Sequence, residues 1–171
     1  GWDLPEEEHL RRREVSVERP RSAIAWNQSP DLGFDRAVNS YRGCEHGCIY
    51  CYARPSHAYL GLSPGLDFET KLVARPDAAR VLEKELGRKS YVVRPMGLGT
   101  NTDPWQPIEA QYRVTRSVLE VLWNWRHPVS ITTRGALIER DLDLLGALAA
   151  EGLTEVGISV TTLDAGLARA M

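Results

Sequence analysis

The chain has 171 residues, 43% of them hydrophobic and 26% charged, which is about one domain's length with enough apolar material for a core. A formal net charge of −2 supplies neither a global basic field for nucleic acid nor the acidic excess of a solvating tail. No apolar run approaches the roughly 18 residues of a membrane span, and no charged n-region leads an apolar h-region.

Residues 1–35 are expected to form a charged, irregular N-terminal arm. The stretch 6–21 mixes both charge signs, holds Arg11, Arg12 and Arg13 in a row, and shows no apolar stripe. It is a solvated arm or an unspecific nucleic-acid contact. Residues 23–34 form an extended loop that packs on a core through Trp26 and Phe34. From 36 to 171 strands and helices alternate. Residues 36–42 are extended and lead into a cysteine-rich loop. Residues 51–60 form a short helix, and 71–74 are extended. Pro76 opens a helix with Ala79, Leu82 and Leu86 on its apolar face, closed by Gly87. Tyr91, Val92 and Val93 begin a buried strand running to Gly99. Val114, Val118, Val121, Leu122 and Trp125 fall at helical spacing, and His127-Pro128 stops that helix. Residues 129–133 are a strand. Ile138, Leu142, Leu145 and Ala149 mark the next helix, with Gly152 as its terminator. Val156, Ile158 and Val160 alternate along a strand at 155–161, and Asp164 caps a last helix. Four strands in this alternation imply right-handed βαβ units on a parallel sheet, an α/β fold. Such a sheet buries both faces and avoids open edges, so the chain is expected to be the truncated front part of a larger α/β barrel or wound sheet.

All three cysteines lie in one loop, Tyr41-Arg42-Gly43-Cys44-Glu45-His46-Gly47-Cys48-Ile49-Tyr50-Cys51-Tyr52. An odd count in one loop excludes a disulfide framework and points to metal ligation in a reducing, cytoplasmic compartment. The spacing is C-x3-C-x2-C, at the C-terminal end of the first strand of the alternation, where α/β folds place their sites. Gly43 and Gly47 let the backbone bend around a bulky object. Two metal readings compete. A structural zinc takes four closed ligands, and Cys44, Cys48, Cys51 and His46 supply four, although His46 lies awkwardly close in sequence to two of them. An iron–sulfur cluster held by three thiolates instead keeps one iron open as a chemical site. Unconnected structural cysteines are the third option, but buried cysteines seldom cluster between glycines in a polar loop.

The C-x3-C-x2-C loop, with aromatic Tyr50 directly before the last cysteine, resembles the signature of radical S-adenosylmethionine (SAM) enzymes. The longer run from Tyr41 to His57, together with Gly99-Thr100-Asn101-Thr102-Asp103-Pro104-Trp105-Gln106-Pro107-Ile108-Glu109, resembles the spore photoproduct lyase-like (DNA repair photolyase-like) radical SAM proteins. The resemblance covers residues 23–171. It implies a partial (β/α) TIM-like barrel of radical SAM type with about the first four βα units, 36–171 being the N-terminal part of that core. It implies that Cys44, Cys48 and Cys51 bind three irons of a [4Fe–4S] cluster, and that SAM chelates the fourth through its amino and carboxylate groups. The implied activity is reductive cleavage of SAM to methionine and a 5′-deoxyadenosyl radical, which abstracts hydrogen from a substrate the sequence does not identify. An electron donor such as flavodoxin or ferredoxin would serve it.

The same resemblance places Tyr50 against adenine, with core packing as the plainer alternative. It assigns Thr100, Asn101 and Thr102 to the SAM amino group, where an ordinary Asn-Thr-Asp-Pro turn capped by Asp103 is the alternative. Arg134, ending the third strand, would pair with the SAM carboxylate or lie solvated in its loop. Ser159 on the fourth strand offers a hydroxyl to the ribose or carboxylate, or is simply a strand residue. Gln106 and Glu109 are weaker candidates that can cap the following helix. His46 and His57 are expected to pack or hydrogen-bond in their loops rather than act as acid–base catalysts. Spore photoproduct lyases carry a further cysteine near the end of the second barrel strand. Residues 96–103 have none here, so the resemblance carries SAM cleavage without thymine-dimer repair.

Overall fold

The computed structural model describes residues 13–170, an α/β fold with two sheets. In chain order the elements are β1 (Glu14–Val17), β2 (Ile24–Trp26), β3 (Arg36–Val38), β4 (Tyr41–Arg42), a 3-10 helix (Arg54–Leu60), α1 (Asp67–Thr70), β5 (Lys71–Ala74) and α2 (Ala78–Leu86). There follow β6 (Met96–Leu98), α3 (Glu109–Tyr112), α4 (Val114–Asn124), β7 (Val129–Thr133), a second 3-10 helix (Ala136–Asp141), α5 (Leu142–Ala150), β8 (Thr154–Ile158) and α6 (Ala165–Ala170). The larger sheet has the order β2-β3-β6-β7-β8, in which β3, β6, β7 and β8 run parallel and β2 is an antiparallel edge. The smaller sheet has the order β1-β5-β4. No helix among the described residues is long and apolar enough to cross a membrane.

The core forms where helix periodicity meets strand alternation. Val129, Ile131 and Thr133 are buried along β7, while Thr132 between them is exposed. Helices α2, α4 and α5 pack side by side. Helix α4 contributes Val114, Val118, Leu119 and Leu122, all fully buried, and each such side chain stabilises the fold by about 1.5–3 kcal/mol. Its N-terminus is capped from outside the helix. The Glu109 carboxylate accepts from the backbone N–H groups of Thr115 (2.9 Å) and Arg116 (3.2 Å), the capping expected of it.

Several expectations need correction. The described part of the arm is not irregular: β1 pairs in parallel with β5, and β2 pairs with β3. Arg11 and Arg12 lie outside the described residues. Phe34 packs over Gly97, but Trp26 is 63% exposed and stacks on the Arg36 guanidinium instead of entering the core. Val92 and Val93 are exposed, and the strand begins only at Met96. Pro95 has no N–H to give a ladder, so pairing cannot start before it. Strand β8 stops at Ile158 against Thr133, the last residue of its partner β7, whose carbonyl still accepts from the Ser159 N–H at 2.8 Å. The helix read from Ile138 to Ala149 is split, because the fully buried Asp141 side chain accepts hydrogen bonds from Trp105, Arg116 and Arg140 at the junction. Asp164 does cap α6: its side chain accepts from the Leu167 N–H at 2.7 Å.

Candidate functional site

The parallel strands β3, β6, β7 and β8 point their C-terminal ends at the cysteine loop. Between loop and strand ends lies a cleft of about 160 Å3 lined by Cys44, Cys48, Cys51, His46, Tyr50, Tyr52, Asn101, Thr102, Asp103, Arg134 and Ser159, among others. Residues singled out from four separate stretches of sequence thus share one cavity. Its volume is below the about 300–1,000 Å3 of a typical enclosed ligand pocket. Ser159 follows β8 at the edge of the sheet. A larger cleft of about 670 Å3, lined by Trp26, Leu32, Phe34, Arg94 and Pro95 among others, lies at the opposite, N-terminal ends of β3 and β6.

The loop's shape is imposed by residues far away in sequence. Gly43 has φ +75°, and a Cβ there would meet the Phe68 carbonyl oxygen at 2.8 Å, so only glycine fits. The Cys44 N–H donates to that same carbonyl at 2.8 Å. Gln106, fully buried, donates from Nε2 to the Gly43 carbonyl (3.1 Å) and accepts from the Glu45 N–H (3.0 Å), bracketing Cys44. The Glu45 carboxylate accepts from the Ile108 N–H at 2.6 Å and pairs with Arg13 at 2.7 Å. Arg54 donates to the carbonyls of Gly47 and Cys48, each at 3.1 Å, and pairs with Glu69. Gln106 is therefore a clamp on the loop and not a helix cap. Neither it nor Arg54 could be assigned this task from spacing, since both hold the loop through its backbone groups.

All three cysteines are free. Cys44 is buried, and burial pushes its thiol up to about 12, while the backbone N–H groups of Asp103 and His46 pull the other way. Asp103 joins the strand ends to the loop. Its Oδ1 accepts from the Thr133 hydroxyl (2.7 Å) and the Trp105 N–H (2.9 Å), its Oδ2 accepts from the Arg134 N–H (2.8 Å), and His46 Nε2 stands 3.5 Å from that Oδ2. Burial alone would raise its carboxyl, but these partners outweigh burial and hold it below the ordinary 3.8. The turn expected at 101–104 is shifted: the chain only bends at 101–102, and the turn falls at 104–105 with Asp103 capping it through the Trp105 N–H, while the same aspartate also reaches the third parallel strand.

Arg134 Nη1 donates to Cys48 Sγ and to Tyr50 Oη, each at 2.8 Å. Its contact with Cys48, opposed by desolvation, raises the guanidinium above its ordinary value. Asn101 reaches Ser56 Oγ at 3.4 Å, and the Thr102 hydroxyl is already donated to the Tyr41 carbonyl at 3.2 Å. Thr100 does not line the cleft: its methyl lies over Gly97, and its carbonyl accepts from the Tyr52 hydroxyl. His57 is buried against Phe68 with Nε2 on the Lys71 carbonyl at 2.9 Å, a packing residue as expected. Among the described residues no three His, Cys, Asp or Glu side chains are grouped about the position of a single metal ion.

The chain is similar to uncharacterized proteins of Mycobacterium tuberculosis and Mycobacterium bovis, 41% identical over 148 residues that cover 85% of this chain and 44% of each relative. An uncharacterized protein of Methanocaldococcus jannaschii is 27% identical over 135 residues, 79% of this chain and 48% of the relative. The chain thus spans less than half the length of the curated relatives it matches. No family model matches it, and no solved structure matches it.

Proposed function

We propose that this chain carries the cluster-binding and SAM-binding portion of a radical SAM enzyme, built on the first βα units of a partial (β/α) barrel and working in a reducing, cytoplasmic compartment. The observation that carries this reading is the gathering of Cys44, Cys48 and Cys51 with Tyr50, Asn101, Thr102, Arg134 and Ser159 on one cleft at the C-terminal ends of parallel strands. The donor set fits a [4Fe–4S] cluster: soft, unbridged thiols on one loop facing one cavity. A cluster takes each thiolate on its own iron, so the sulfurs need not meet at one point, whereas a single tetrahedral zinc requires that they do.

When bound, cluster and SAM together supply one-electron cleavage of SAM and a 5′-deoxyadenosyl radical for hydrogen abstraction, fed by a donor of the flavodoxin or ferredoxin class. The chain's own residues hold and orient. Gln106 and Arg54 fix the backbone on either side of the first two thiols. Tyr50 offers a half-exposed ring as a wall for adenine. Asn101 and Ser159 present polar groups for the SAM amino group and ribose. Arg134 brings a guanidinium that matches a carboxylate.

Anaerobic reconstitution with iron and sulfide is expected to give about four of each per chain, and dithionite with SAM then to yield 5′-deoxyadenosine. A cluster-loaded protein that makes no 5′-deoxyadenosine would defeat the enzyme reading. A colourless protein with stoichiometric zinc, no labile sulfide, and metal loss in His46→Ala would establish the alternative, a zinc-stabilised binding module using Cys44, Cys48, Cys51 and His46.

A further inference from the structure

Arg134 follows β7 directly and turns back over the cysteine loop. Two features fix its aim. Its backbone N–H is held by Asp103, and the residue before it, Thr133, is tied to the same carboxylate through its hydroxyl. Its guanidinium therefore starts from a strand end locked to the 99–103 loop, and it reaches Cys48 Sγ at 2.8 Å and Tyr50 Oη at 2.8 Å through one nitrogen. Among the described residues no carboxylate forms an ion pair with it, so the side chain is engaged by the sulfur and the phenol rather than neutralised.

Resting on the cluster reading above, we propose that Arg134 is a sulfur-directed hydrogen-bond donor that sets the reduction potential of the cluster held by Cys44, Cys48 and Cys51. Reduction adds one electron from the external donor to the cluster, with no bond made or broken in the protein. Part of that added negative charge spreads onto the ligand sulfurs. A cationic N–H on one of them stabilises the reduced form more than the oxidised form, and the potential rises. Guanidinium keeps its charge at every working pH, so the effect is constant. Arg134 is thus a positioning and tuning residue, distinct from any contact it makes to a bound carboxylate.

The test is an EPR-monitored redox titration of the reconstituted chain without SAM, which isolates the sulfur contact. Arg134→Gln retains a neutral N–H donor and loses the charge. It is expected to disfavour reduction at least tenfold, a midpoint about 59 mV more negative for a one-electron couple. Arg134→Lys retains the charge on a different geometry and falls between Arg134→Gln and the parent. Resonance Raman of the loaded fraction gives a second readout that does not depend on yield: the Fe–S(Cys) stretching bands move to higher frequency as the cationic donor on the sulfur gives way to a weaker, neutral one. A loaded Arg134→Gln protein with midpoint and bands unchanged overturns this inference and leaves the cluster reading standing. A parent chain that takes up no iron and sulfide overturns both.

Discussion

Replacing Gln106 with methionine keeps the length and much of the volume of the side chain and removes its amide. The amide is fully buried, and both of its hydrogen bonds go to the backbone on either side of Cys44. Methionine leaves the Gly43 carbonyl without a donor and the Glu45 N–H without an acceptor. Each buried unsatisfied group costs about 1–3 kcal/mol. Gly43 is buried, so its carbonyl bears the full cost, whereas Glu45 is half-buried and its N–H recruits water. The expected loss is about 2–3 kcal/mol. Because the disturbed groups flank Cys44, a cluster ligand under the proposed function, cluster uptake is expected to fall with stability. Gln106→Glu is expected to be no milder, since it retains the acceptor for Glu45 and sets a carboxylate against the Gly43 carbonyl. Chemical denaturation reads the first effect, and iron and labile sulfide per chain after reconstitution read the second. An unchanged midpoint together with full iron uptake in Gln106→Met would refute the claim that this amide shapes the loop.

Glu109→Ala leaves the Tyr41 hydroxyl without its buried partner, takes one of two carboxylates from Arg140, which keeps Asp141 at 2.6 Å, and uncaps α4. It is expected to cost about 2–4 kcal/mol, from the buried hydroxyl left unsatisfied and the lost cap, and a loss under about 1 kcal/mol in denaturant would show that water replaces the carboxylate. Gly99→Ala places a Cβ 1.9 Å from the Thr132 carbonyl at φ +89°; left-handed strain and overpacking together predict a loss of about 2–5 kcal/mol, read by thermal melt. His127 is buried with Nδ1 at 2.9 Å from the Pro128 carbonyl and Nε2 at 2.8 Å from Tyr91 Oη, partners that suit the neutral ring with its proton on Nδ1. Burial, opposed by Pro128 and aided by Arg36, holds its folded value below 6.5. The unfolded chain then binds a proton that the folded ring refuses, so stability is full above 6.5 and declines as pH falls through 6.5 toward the folded value. Parallel melting-temperature curves for the parent and His127→Gln across that window would contradict this assignment.

Where hydrophobic period decides the structure, the sequence was legible. Helix α4 spans Val114–Asn124, and β7 spans Val129–Thr133, as their apolar spacing requires. Strand β1 escaped because its residues are mostly exposed, so there is no alternation to see. Val92 and Val93 misled because β-branched character says nothing about whether a ladder partner is available beyond Pro95. In the site, the cysteines and the strand-end positions were legible, since the fold class dictates which end of a parallel sheet carries loops. The orientation of neighbours was not: Asn101 and Thr102 line the cleft, and Thr100 between Gly99 and Asn101 does not. Gln106 and Arg54 were missed as loop clamps because a side chain that binds backbone groups has no partner residue type to recognise. Gln106 reaches Gly43 across 63 positions, a distance at which spacing carries no information.

A thiol loop that stood alone would have to be ordered by its ligand, at about 1–2 kcal/mol of backbone entropy per residue. Here the ordering is in place beforehand and comes from the scaffold. Gln106, the Ile108 N–H and the Phe68 carbonyl hold the first half of the loop, and Arg54 holds the second. Asp103 refers the loop to the strand ends, because one carboxylate takes the N–H and hydroxyl of the β7 terminus and stands beside His46 between two cysteines. The guanidinium that meets Cys48 therefore inherits its position from the sheet rather than from the loop. Any change that shifts β7 relative to β6 must move Arg134 off the sulfur before it moves the sulfur itself, so the electrostatic setting of the thiols is coupled to the strands and not to the loop that carries them.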